Sequence, residues 1–136
     1  MPKSFPARPR GDSRTYLFRA GALIALTRDH SFVQDQVDKG IISQQQAKKS
    51  RFRSILLRAV GVDPFLAVDV ESDLYCPGDI FLLCTDGLHS MLDAGEIAAI
   101  LAIDGPPAKK ADILIKAAND AGGEDNITVT LVEILG

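Results

Sequence analysis

The element order of these 136 residues predicts an α+β layered fold with an antiparallel sheet. Strand-like segments come first, broken by a polar helical insert. Two amphipathic helices then precede a single closing strand. A doubly wound parallel sheet would instead alternate strand and helix along the chain. Composition agrees with one folded unit: 46% hydrophobic, 24% charged and 6% aromatic residues. That balance excludes a disordered tail, a collagen-like fibre and a disulfide scaffold. No apolar run approaches the roughly 20 residues that span a bilayer, so no membrane role is expected.

Each element follows from its local pattern. Residues 1–10 carry three prolines and three basic residues and read as an irregular arm. They hold no apolar h-region, so they do not read as a secretory signal. Arg14 to Arg19 is rich in β-formers, and Ala20-Gly21 turns the chain into a return strand over Ala22 to Thr27. Phe32, Val33 and Val37 suit a short helix over Phe32 to Lys39, with Gly40 as its C′ residue. Ser43 and Gln46 form a capping box for a second helix to about Ser50. Ser54 to Ala59 and Leu66 to Val70 are strand candidates, the latter by alternation. Cys76-Pro77-Gly78-Asp79 is a turn, and Ile80 to Cys84 is a continuous apolar run fit for a central strand. Asp93 with Glu96 opens a helix that carries Ile97, Ile100 and Leu101 on one face. A further helix from about Ala108 turns Ala111, Leu114, Ala117, Ala118 and Ala121 inward, and Gly122-Gly123 ends it. Ile127 to Ile134 is the last strand.

Charge is divided along the chain. Residues 1–60 hold 12 Lys+Arg against 4 Asp+Glu, and residues 61–136 hold 3 against 14. The halves carry +8 and −11, for a net charge of −3. Without aromatic interleaving and at a pI of about 5.3, nucleic-acid binding is not expected. Cys76 and Cys84 lack zinc-ligand spacing; Cys84 reads as a small buried hydrophobe. A reducing cytoplasm is the expected location.

Three aspartates stand at segment ends beside glycine. Asp86 follows the apolar run and precedes Gly87. Asp125 follows Gly122-Gly123-Glu124, and Asp12 lies in Gly11-Asp12-Ser13-Arg14. Carboxylates gathered from such loops repel one another, and a hard divalent cation such as Mg²⁺ or Mn²⁺ relieves that repulsion. Taken singly, each reads better as a turn residue than as a metal ligand.

Their joint order carries a resemblance. Gly11-Asp12-Ser13-Arg14 is followed by Leu26-Thr27-Arg28-Asp29-His30-Ser31 and by Leu56-Leu57-Arg58-Ala59-Val60-Gly61. Pro77-Gly78-Asp79 then precedes Ile80 to Leu88, which contains Thr85-Asp86-Gly87. Gly122-Gly123-Glu124-Asp125-Asn126-Ile127-Thr128-Val129 closes the set. Over nearly all the chain after residue 10, this resembles the C-terminal part of the metal-dependent, type 2C serine/threonine phosphatases in their bacterial form. The resemblance implies a partial α-β-β-α sandwich with mainly antiparallel sheets, its N-terminal portion missing. It divides the chain into the arm and a phosphatase-like part over 11–136, with a flap-like insert at about 31–53. It implies Asp86, Asp125 and Asp12 as metal ligands, with Gly87 and Asn126 shaping their loops. In the family, two or three Mg²⁺ or Mn²⁺ ions activate a water that attacks the phosphorus of phosphoserine or phosphothreonine in a protein.

The family's N-terminal portion supplies a phosphate-clamping arginine and an Asp-Gly-x-Gly-Gly segment, and nothing in residues 1–10 resembles them. A shortened chain with weak or no activity is therefore expected. Lys49-Ser50-Arg51-Phe52 departs from the family's usual His-Pro. Arg51, Arg53 and Arg58 lie where a phosphorylated protein would approach the flap. The missing strands imply an exposed sheet edge and a homodimer through it. Two other readings stand beside this one. The first is a phosphatase-like interaction module without catalysis. The second is a serine esterase with Ser13 as nucleophile, His89 as base and Asp86 as orienter.

Overall fold

A computed structural model describes residues 3–7, 13–27, 32–49, 64–65 and 71–136. Its centre is a four-stranded antiparallel sheet of β2 (Arg14–Arg19), β3 (Ala22–Ala25), β5 (Ile80–Cys84) and β6 (Val129–Glu133), in the order β3-β2-β5-β6. The apolar run of β5 is interior, as expected, and pairs with β2 on one side and β6 on the other. Antiparallel pairing throughout gives the α+β class that the element order predicts.

The hairpin between β2 and β3 turns through Ala20 (φ 51°) and Gly21 (φ 81°), flanked by the Arg19–Ala22 pair. Positive φ at both central residues is what a two-residue loop of the I′ type requires. Gly21 adopts it freely, whereas Ala20 crowds its own Cβ.

Two elements depart from expectation at the sheet's margins. Lys3–Ala7 is not an irregular arm. It forms β1 and pairs antiparallel with β4 (Glu71–Tyr75), Lys3 opposite Tyr75 and Ala7 opposite Glu71. Neither strand has strong β-propensity of its own, because Pro6 and the polar Glu71-Ser72-Asp73 dilute it; cross-strand hydrogen bonding supplies what sequence pattern does not. The strand candidates at 54–59 and 66–70 lie outside the described residues.

The insert contains α1 (Phe32–Asp38) and α2 (Gln44–Lys49). Its capping box forms in both directions: the Ser43 amide donates to Gln46 Oε1 at 2.7 Å, and the Gln46 amide donates to Ser43 Oγ at 3.1 Å. Gly40 takes a φ of 73° just beyond α1.

One face of the sheet carries the helices α3 (Asp86–His89), α4 (Ala94–Leu101) and α5 (Pro107–Asp120). Tyr16, Phe18, Ile80, Leu82 and Cys84 meet Leu88, Leu92, Ile97, Leu101, Leu114 and Ala118 there. Leu17 and Phe81, paired across β2 and β5, alternate to the opposite face and are also fully buried. Asp93 caps α4 by accepting the Glu96 amide at 2.8 Å. α5 starts one residue early, since Pro107 needs no amide partner in the first turn. Its inward face is Lys110, Leu114 and Ala118, and Ala121, expected inward, is exposed as the helix winds off.

The Cys76–Asp79 turn is tied into the body by charge. Asp79 is 2% exposed and accepts Arg19 Nε at 2.8 Å and Arg19 Nη2 at 2.6 Å. It also accepts the Cys76 amide at 2.8 Å. Arg19, in turn, donates to the Leu74 carbonyl. This fork holds the Asp79 carboxyl below its ordinary range, outweighing burial, which pushes the other way.

Candidate metal centre

The site is built where β5 ends and β6 begins, because the antiparallel pairing of these strands brings the two ends together. Cys84 lies opposite Val129. Asp86 therefore leaves the sheet beside the loop that carries Asp125. Asp86 opens α3 and is half-buried; its carbonyl accepts the Ser90 amide and hydroxyl. Asp125 is exposed and folds one oxygen back, with Oδ1 accepting the Asn126 amide at 2.7 Å.

Three hydrogen bonds join the loops. The Thr85 amide donates to the Thr128 carbonyl at 3.1 Å, and the Thr128 amide donates to Thr85 Oγ1 at 3.0 Å. The Thr85 hydroxyl donates to the Asn126 carbonyl at 3.4 Å. Gly87 completes the fit: a Cβ there would lie 2.1 Å from the Asn126 carbonyl oxygen and 2.9 Å from its carbon. Only a glycine lets these backbones approach so closely.

Asp86, Gly87, Asp125 and Asn126 thus come together. Asp12, Arg51, Arg53 and Arg58 lie outside the described residues. Among the described residues no three His, Cys, Asp or Glu side chains group to hold a metal ion; the two joined loops bring one aspartate each, Asp86 and Asp125. Their chemistry suits a hard divalent cation. Mg²⁺ keeps several of its waters and takes only one or two protein carboxylates. Thr85 is the residue of this neighbourhood that sequence reasoning passes over. Its signal was a hydroxyl placed between a buried strand and Asp-Gly.

Ser13 precedes β2, while His89 and Asp86 both belong to the single turn of α3. The esterase reading needs a parallel sheet, and β2, β5 and β6 run antiparallel.

Asp86 and Asp125 thus stand on two joined loops of an antiparallel α+β body, and comparison with known proteins shows what this body resembles. The serine/threonine phosphatase Stp of Listeria innocua is 43% identical over 123 residues, covering 90% of this chain and 49% of that protein. The Streptococcus agalactiae serine/threonine phosphatase structure superposes with a TM-score of 0.93 at 33% identity, covering 96% of this chain and 54% of that one. The catalytic domain of the phosphatase PstP, solved in complex with two manganese ions, gives 0.84 at 32% identity, covering 98% and 54%. No family model matches the chain. By these relationships the chain is homologous to part of the type 2C serine/threonine phosphatases. It spans about half the length of the curated relatives it matches.

Proposed function

We propose that this chain carries part of a centre for metal-assisted hydrolysis of phosphoserine and phosphothreonine in proteins, with Asp86 and Asp125 holding Mg²⁺ or Mn²⁺. The observation that carries the reading is the stitched contact between their loops, in a chain homologous to serine/threonine phosphatases. When bound, the cation supplies Lewis acidity, lowering the pKa of a water and neutralising phosphoryl charge.

The chain's own residues supply position. Asp125 Oδ1 accepts the Asn126 amide, which restrains the carboxylate against its own loop. Asp86 is anchored through its backbone at the start of α3. Gly87 and Asn126 hold the loops in contact, Asp12 adds a third carboxylate, and Arg51, Arg53 and Arg58 draw a phosphorylated protein toward the insert.

So few carboxylates bind a cation weakly, and activity of these 136 residues alone is weak or absent. Cys76 and Cys84 form no disulfide, which suits the reducing cytoplasm. No helix among the described residues is long and apolar enough to cross a membrane. A homodimer through a sheet edge follows from β3, a terminal strand of its sheet with Ile24 45% exposed. Sedimentation at high concentration is expected to show dimer; monomer throughout would contradict this.

The functional test is hydrolysis of a phosphothreonine peptide with added Mn²⁺. Little or no turnover is expected, and Asp86→Asn removes any that is present. Turnover that survives Asp86→Asn would refute the assignment.

A further inference from the structure

We propose that the Thr85 hydroxyl is a positioning group that sets the spacing of the Asp86 and Asp125 loops and so tunes the cation affinity of the pair; this rests on the cation reading above. Thr85 occupies the N-cap position of α3, with extended backbone (φ −83°, ψ 169°). A threonine there ordinarily turns its oxygen onto an amide of its own helix. Thr85 makes no such bond. Its hydroxyl instead crosses to the other loop, accepting the Thr128 amide and donating to the Asn126 carbonyl.

One hydroxyl offers one proton and two lone pairs. Here it connects the residue before one carboxylate to backbone groups one and three positions after the other. The bridge spans 41 and 43 residues of sequence, so it is a tertiary clamp and not a local turn. The Asn126 carbonyl that receives its proton is the same oxygen that abuts Gly87. Loss of the hydroxyl therefore frees the loop at the point of closest approach. Groups that orient metal ligands without touching the metal typically alter affinity by about 10- to 100-fold.

The experiment uses the full chain, with Mn²⁺ alone as probe, followed by calorimetry and by loss of the free-ion electron paramagnetic resonance signal. Thr85→Val, nearly isosteric but without the hydroxyl, is expected to weaken Mn²⁺ binding at least about tenfold, and Thr85→Ser to stay within about twofold of the parent. A second measurement needs no variant. Hydrogen exchange of the Thr128 amide is expected to slow when Mg²⁺ is added, because a cation that joins the carboxylates closes the clamp. Thr85→Val binding like the parent while Asp86→Asn does not bind would overturn the positioning role and leave the cation reading intact. Unchanged Thr128 exchange on saturation with Mg²⁺ would overturn it as well, even if Thr85→Val fails to fold. A parent chain that binds no Mn²⁺, or binds it as well after Asp86→Asn, would overturn the cation reading and the proposal with it.

Discussion

At Gly87 a single missing atom decides whether two loops can touch. A Cβ there would press on backbone, which cannot rotate away as a side-chain tip could. Gly87→Ala is expected to cost about 1–3 kcal/mol of stability, the usual range for overpacking. It should also weaken Mn²⁺ binding, since the Asn126 carbonyl must retreat and carries Asp125 with it. Denaturant unfolding and Mn²⁺ titration of the same variant check both; full stability with parent-like affinity would show that the contact is slack. Asp86 and Asp125 stand out as candidates in the sequence, because Asp-Gly follows one apolar strand and Asp-Asn leads into another. The role of Thr85 was not legible there. A threonine before a helix reads as a cap, and only the fold shows its hydroxyl spent on residues more than 40 positions away.

Elements governed by local rules were legible almost to the residue. β2 spans Arg14–Arg19 as its β-formers indicate, and both the Ser43–Gln46 box and the Asp93 cap form as written. β1 and β4 escaped because neither is a strand by pattern; each becomes one by pairing with the other across nearly 70 residues. Inside the well-read hairpin lies one strained position. Ala20 holds a φ of 51°. Left-handed backbone costs a non-glycine residue about 1–2 kcal/mol, and asparagine tolerates it far better. Ala20→Asn is therefore expected to stabilise the chain by about 1 kcal/mol and raise Tm by a few degrees, about 2–6 °C. A fall in Tm would mean that Ala20 is not strained in solution.

On the scale of the whole molecule, the Arg19–Asp79 fork ties the end of β2 to the turn before β5, and the Asp79 carbonyl takes the Ile134 amide just past β6. Asp79 ionises below its ordinary value near 3.8 because Arg19 and the Cys76 amide favour the carboxylate. Its contribution is thus fully present above about pH 4 and is lost as pH falls through the lower folded value. Arg19→Met leaves the carboxylate buried without its partner. It is expected to cost about 2 kcal/mol at pH 7, less than for a fully buried pair because the Arg19 side chain is 40% exposed. The loss should shrink in acid, below pH 4, as Asp79 protonates; urea unfolding at both pH values would show a constant difference if the fork is unimportant.

The strand order β3-β2-β5-β6 brings the ends of β5 and β6 together, so the proposed sharing of one divalent cation by Asp86 and Asp125 depends on the entire fold. Isothermal calorimetry of Mn²⁺ on the parent chain beside Asp86→Asn and Asp125→Asn tests it most directly. Weak, saturable binding by the parent is expected, with loss of measurable binding in each variant alone. Binding that survives either substitution undiminished would contradict it.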